Sequence, residues 1–247
     1  MIRRMGTRRG RALLKYAARE DVVIVTKVYF NPGRLSREAI IREVEGSLRR
    51  LGTDYLDLYI IHRFDYERPI EETTGALNEL VEAGKVRELG ASAMYGYQFH
   101  NMNLVAWKNG WREFSSMQNH YNLLYREDER ELIPLCRQLG VSLTPYSPLA
   151  GGHLARSTWE SGTLRGRTDR VARGKYDRMQ DADMQIVERV NELARRYECK
   201  PAQVALAWQW AKGVAAPIVG GTKASYISDA ENALSLELGA EDVAYLE

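Results

Sequence analysis

Short apolar runs alternate with longer amphipathic stretches along the chain. Val22 to Val28 is β-branched and compact, which predicts a strand. After the break at Asn31-Pro-Gly33, Ser36 is placed as an N-cap and the apolar spacing predicts a helix to about Arg50. The run from Asp54 ends abruptly in His62 and charge, predicting a second buried strand. Pro69 and the acids after it open a helix that runs to Gly84. The alternation continues with strands at 86–92, 114–118, 141–146 and 216–220. Helices are expected at about 97–108, 128–139, 181–197, from Pro201, and at 225–234. A leading helix is expected over Gly10 to Arg19, and Glu247 falls in what reads as the start of a last helix.

Strands that alternate with helices imply a parallel sheet with helices outside it. Six strands fit either an open doubly wound sheet or a barrel of eight lacking two units. The doubly wound fold usually carries a GxGxxG turn after its first strand, and none occurs here. In the barrel reading, Lys27 and His62 stand at corresponding C-terminal ends of neighbouring parallel strands, where barrel enzymes keep their active sites.

Composition changes this picture little. With 247 residues, 45% hydrophobic and 28% charged, at a net charge of +2, the chain suits one globular domain over 1–247 and gives no reason to expect nucleic acid. Cys136 and Cys199 lie far apart and form no CxxC pair, which suits a reducing, cytoplasmic setting. No apolar run approaches membrane-spanning length and no signal peptide is read, so no membrane partner is expected. The arginines between Arg3 and Arg11 allow a basic arm or transit peptide, but the amphipathic start at Gly10 argues against both. His100, His120 and His153 lack metal-ligand spacing and are read as structural or exposed, so no metal is expected. Arg165 to Lys175 reads as a solvated loop, and the five tryptophans as core or cap residues.

Six segments, taken together and in order, resemble the strand-end motifs of the aldo-keto reductases, in particular the aryl-alcohol-dehydrogenase-like branch. They are Val25-Thr-Lys-Val28, Asp57-Leu-Tyr-Ile-Ile-His62, Gly90-Ala-Ser92, Ser116-Met-Gln-Asn-His-Tyr-Asn122, Pro145-Tyr-Ser-Pro-Leu149 and Pro217-Ile-Val-Gly-Gly-Thr-Lys223. The resemblance implies a (β/α)8 TIM barrel, NADPH as cofactor, and reduction of a small carbonyl substrate to an alcohol. It makes Lys27 and His62 two of four catalytic residues. The physics agrees, because hydride delivery builds negative charge on a carbonyl oxygen and calls for a proton donor and positive or hydrogen-bonding groups.

By the same resemblance, Ser92 and Gln118 bond the nicotinamide carboxamide, while Tyr146 stacks on the nicotinamide ring. Ser147, Pro148, Leu149 and Gly151 line the pyrophosphate. Gly220, Thr222 and Lys223 take the 2′-phosphate, and Asp229 lies near the adenine. Ala93 stands where many members have asparagine, and Tyr226 and Ala230 replace polar residues.

The family's aspartate and tyrosine fall in a motif near the end of its second strand, and no such strand is read here. Tyr16 and Tyr29 are the nearest tyrosines and neither matches. The barrel is accordingly expected to be incomplete, lacking its first two units and a C-terminal segment. A non-catalytic NADP-binding or interaction protein, similar to the channel β subunits of the superfamily, is the alternative. Oligomeric state is not readable from the sequence.

Overall fold

The computed structural model describes residues 12–13, 15–159, 168, 170–176 and 179–247, with backbone alone at 171–173. Residues 12, 13, 15 and 16 are helical, while Gly10, Arg11, Leu14 and the arginines before them lie outside the described residues. The chain forms two compact units, residues 1–118 with 135–141, and 119–134 with 142–247.

The first unit is built from consecutive βα repeats. Strand β1 (Val25–Val28) pairs in parallel with β2 (Leu56–Ile61), β2 with β3 (Val86–Ser92), and β3 with β4 (Phe114–Gln118). Helices α1 (Arg37–Leu51), α2 (Ile70–Glu82) and α3 (Gly96–Lys108) follow the first three strands. This is the repeating element of a (β/α)8 barrel, as the sequence pattern predicts.

Local chemistry sets the boundaries. The Ser36 hydroxyl accepts from the Ala39 N–H at 3.3 Å to start α1. Gly52, at φ 73°, closes the helix in the left-handed conformation, its N–H donating to the Leu48 carbonyl at 2.8 Å. Ile40, Val44 and Leu48 recur every four residues and are buried, as are Leu56, Tyr59, Ile60 and Ile61 of β2. Arg19, in a single 3-10 turn (Arg19–Asp21), ties the start of the sheet together. Its guanidinium donates to Thr53 Oγ1 at 2.8 Å and Asp57 Oδ2 at 2.7 Å and stacks on the Tyr55 ring. The expected leading helix therefore does not run on to Arg19 as a regular helix.

In the second unit, strand β5 (Ser142–Leu143) is shorter than the run expected at 141–146, and Tyr146 forms an isolated parallel bridge to His120. The strand expected at 216–220 is not formed as such. Ala215 and Ala216 donate to the Leu143 carbonyl and Ile218 to the Pro145 carbonyl, so the segment lies alongside β5. Pro145 and Pro217 each lack an N–H, which removes a rung wherever they fall and breaks the ladder into isolated bonds.

Helix α4 (Leu132–Gln138) has residues in both units. Within the second unit follow α5 (Arg170–Tyr176), α6 (Gln180–Arg196), α7 (Pro201–Ala211), α8 (Ala224–Asn232) and α9 (Ala240–Leu246). Val187, Val190 and Leu193 of α6 and Val204, Leu206 and Trp208 of α7 form much of its core. Helix α5 corrects the expected loop at 165–175, of which 165–167 and 169 lie outside the described residues. Burial of Tyr176, only 3% exposed, anchors a stretch whose charge reads as solvated.

Candidate active site

In the first unit, parallel pairing brings together the polar residues that end its strands. Register places Lys27 beside Ile60, Ile61 beside Ala91, and Ser92 beside Gln118, while His62 directly follows β2. The His62 N–H donates to the Val28 carbonyl at 2.9 Å, which extends the ladder one residue past the strand. The Lys27 ammonium donates to Gln118 Oε1. The Ser92 hydroxyl donates to the Gln118 backbone carbonyl at 2.7 Å. Lys27, Ser92 and Gln118 thus form one linked set drawn from three strands.

Burial tunes the ionisable members. Desolvation lowers the Lys27 ammonium from its ordinary value. His62 is pushed down to about 4, first by desolvation and then by the charges of Lys27 and Arg63. At neutral pH the imidazole is therefore uncharged beside a cationic lysine, so His62 offers one ring N–H to an oxygen without competing for charge. Phe30 meets the His62 ring edge to face at 4.8 Å, which restricts its tilt.

Gln118 spends its amide oxygen on Lys27, and its Nε2 has no partner among the described residues, leaving two hydrogens for a carbonyl oxygen. Ser92 is buried and ends β3 just before Ala93, a non-glycine residue at φ 47°.

The second unit holds the other expected contacts. The Tyr146 N–H donates to the Asn119 carbonyl at 2.8 Å. Ser147 adopts φ 57°, and its carbonyl accepts from Ala150 N–H at 3.0 Å and Asn122 Nδ2 at 2.9 Å. Two such bonds stabilise a backbone conformation that a serine seldom adopts. Pro148 and Leu149 follow, and Gly151 and Gly152 take φ 66° and 101°, which glycine does freely. Gly220, Thr222 and Lys223 form an exposed turn into α8. Asp229, on α8, is bound to Lys200 at 2.6 Å.

His120, read from the sequence as structural or exposed, is half-buried and packed in the second unit. Its ring is stacked against Tyr125 at 4.2 Å and Tyr146 at 5.1 Å, and its Nε2 lies 2.7 Å from the Tyr176 hydroxyl. Burial, followed by the Lys175 charge, pushes its pKa down to about 4. It stands two residues after Gln118, between Asn119 and Asn122. Tyr176, its partner, directly follows the stretch read as loop.

A cavity of about 650 Å³ opens elsewhere in the first unit, at the N-terminal ends of β3 and β4, against Glu82, Glu88 and Arg112. It lies at the opposite strand ends from Lys27 and shares none of its residues. Among the described residues no group of three or more His, Cys, Asp or Glu is placed to hold a metal ion, and no helix is long and apolar enough to cross a membrane.

A profile of the aldo/keto reductase family matches residues 8–247. The chain is 47% identical over 224 residues to an aldo-keto reductase of Fusarium vanettenii, an alignment covering 90% of this chain and 60% of that protein. It is 41% identical over 263 residues to versiconal hemiacetal acetate reductase of Aspergillus parasiticus, covering 96% and 76% respectively. A putative aryl-alcohol dehydrogenase of Schizosaccharomyces pombe is 47% identical over 215 residues, covering 86% and 60%. The chain thus spans 60% of the length of two of these three relatives.

Proposed function

We propose, for a chain that belongs to the aldo/keto reductase family and to its aryl-alcohol-dehydrogenase-like branch, that residues 1–247 act as one domain of a cytoplasmic, NADPH-dependent reductase of small aldehydes or ketones. The observation that carries the reading is the Lys27–Gln118–Ser92 set at the strand ends, with neutral His62 on the neighbouring strand.

Ser92 and Gln118 Nε2 would hold the nicotinamide carboxamide, and Tyr146 would take the ring. Ser147, Pro148, Leu149 and Gly151 would run along the pyrophosphate, with Gly220, Thr222 and Lys223 at the 2′-phosphate and Asp229 towards the adenine. NADPH, when bound, supplies the hydride. His62, uncharged, donates its ring N–H to the carbonyl oxygen and fixes its direction. The Lys27 ammonium stabilises the negative charge that gathers on that oxygen, in a poorly solvated site where charge interactions are stronger than in water.

The aspartate and tyrosine of the family's catalytic set have no counterpart among the motifs of this sequence. We therefore propose that the chain binds NADPH with little or no turnover, which joins the reductase reading to the second one, a nucleotide-binding protein on a reductase scaffold. The test is a fluorescence titration of the purified chain with NADPH and then NADH, followed by an aromatic aldehyde while reduced-cofactor absorbance is monitored. Saturable binding that is tighter for NADPH, with no oxidation, is expected. Turnover would show that another group supplies the proton. Absence of any binding would sink the cofactor assignment.

A further inference from the structure

Tyr176 carries a role that the carbonyl chemistry does not use. Its ring is buried, and its hydroxyl lies 2.7 Å from His120 Nε2 and 3.1 Å from Asn122 Nδ2. Asn122 Nδ2 meets the Ser147 carbonyl at 2.9 Å as well as the Tyr176 oxygen, and it lies 3.4 Å from His120 Nε2. The Tyr176 hydroxyl and His120 Nε2 share one hydrogen bond, which fixes the plane of the neutral imidazole ring. That plane lies 6° from the plane of Tyr146. Lys175, the residue before Tyr176, places its ammonium 4.8 Å from the Tyr146 ring centroid. Both residues that close α5 thus bear on the one ring assigned to the nicotinamide.

We propose that Tyr176 is a positioning residue for the cofactor's nicotinamide end: through His120 it sets the plane of Tyr146, so seating of α5 and stacking on Tyr146 are coupled. The proposal rests on the assignment of Tyr146 above. Asn122 joins the coupling to the backbone, because the amide that meets Tyr176 also pins the left-handed Ser147 next to Tyr146.

The test uses the full chain and two ligands, NADPH and 2′,5′-ADP, which presents the adenine and 2′-phosphate but no nicotinamide. Tyr176→Phe keeps the buried ring and removes only the hydroxyl. It should weaken NADPH about tenfold, the effect of a buried hydrogen bond lost from a shared network, and leave 2′,5′-ADP binding unchanged. General loosening of the unit would weaken both ligands in parallel, and that result overturns the proposal, as does wild-type affinity for both. Should Tyr176→Phe fail to fold, His120→Asn decides by the same selective loss. If the unaltered chain binds 2′,5′-ADP but not NADPH, the Tyr146 assignment falls and this inference with it. Absence of a selective loss of NADPH binding in both variants, with normal NADPH binding by the parent chain, overturns the inference alone.

Discussion

Ala93 shows what a single residue stores beside a functional strand end. It follows Ser92 with φ 47°, a region that costs an alanine on the order of 1 kcal/mol because its Cβ crowds the backbone. Its side chain is exposed, so a replacement meets little resistance. Asparagine tolerates this conformation, and Ala93→Asn is expected to stabilise the chain by about 0.5–1 kcal/mol, raising the melting temperature by roughly 2 °C. An unchanged or lower melting temperature in a thermal scan would refute the strain argument. At this scale the sequence is readable where chemistry sits on a strand end. Lys27, His62, Ser92 and Gln118 stand out because an apolar run stops at a polar group. His120 does not stand out, because its partner Tyr176 lies 56 positions away and only folding brings the two hydroxyl and imidazole groups to hydrogen-bond distance.

The strands and helices were legible to different degrees, and the difference has causes. The runs at 86–92 and 114–118 form β3 and β4 with the expected limits, since each is short and bounded by turn residues or helix ends. The segments around Pro145 and Pro217 have strand composition, yet missing N–H groups reduce them to a two-residue strand and scattered bonds. Helix α5 hid in a run of charge because a single buried aromatic fixes it. Glycine at position 90 is an element-level requirement that the sequence pattern does not announce. A Cβ there would sit 2.8 Å from Ile60 Cγ1 and 3.3 Å from Leu58 Cδ1, on the neighbouring strand β2. Gly90→Ala should therefore lower stability by about 1–3 kcal/mol through overpacking. The urea midpoint measures this directly, and an unchanged midpoint would mean that β2 yields at no cost.

For the whole molecule, two half-buried histidines bear on how stability responds to acid. His62 and His120 are both held near 4 in the folded chain, whereas an unfolded histidine titrates at about 6.5. Below that value the unfolded state takes up protons that the folded state refuses, so their stabilisation is present above about pH 6.5 and is lost on descent towards 4. Asp183 acts in the opposite sense. Burial raises it to about 6, so its contribution is present at low pH and lost as pH rises through that value. Two histidines outweigh one aspartate, and with solvent screening each histidine contributes about 1 kcal/mol between pH 6.5 and 5. The urea midpoint should fall from pH 7 to pH 5, and His62→Gln should flatten part of that fall. A midpoint that holds or rises on acidification would contradict the assignment of both rings as half-buried and neutral. The βα order from which a barrel was expected is present as parallel repeats in the first unit, because strand periodicity and helix caps are local signals. The division of contacts into two units depends on long-range packing and has no such local mark.

Among the described residues, β1 pairs with β2 alone and stands at the end of the parallel order. Lys27 rides on that outermost strand. An edge strand of four residues opens by local fraying at far less free energy than unfolding of the unit requires. Among the described strands of the first unit, Lys27 thus sits on one with a single paired neighbour, while Ser92 sits on β3, which is paired on both sides. Whatever binds across these strand ends acts as a clasp on β1 and holds the Lys27 ammonium beside Gln118.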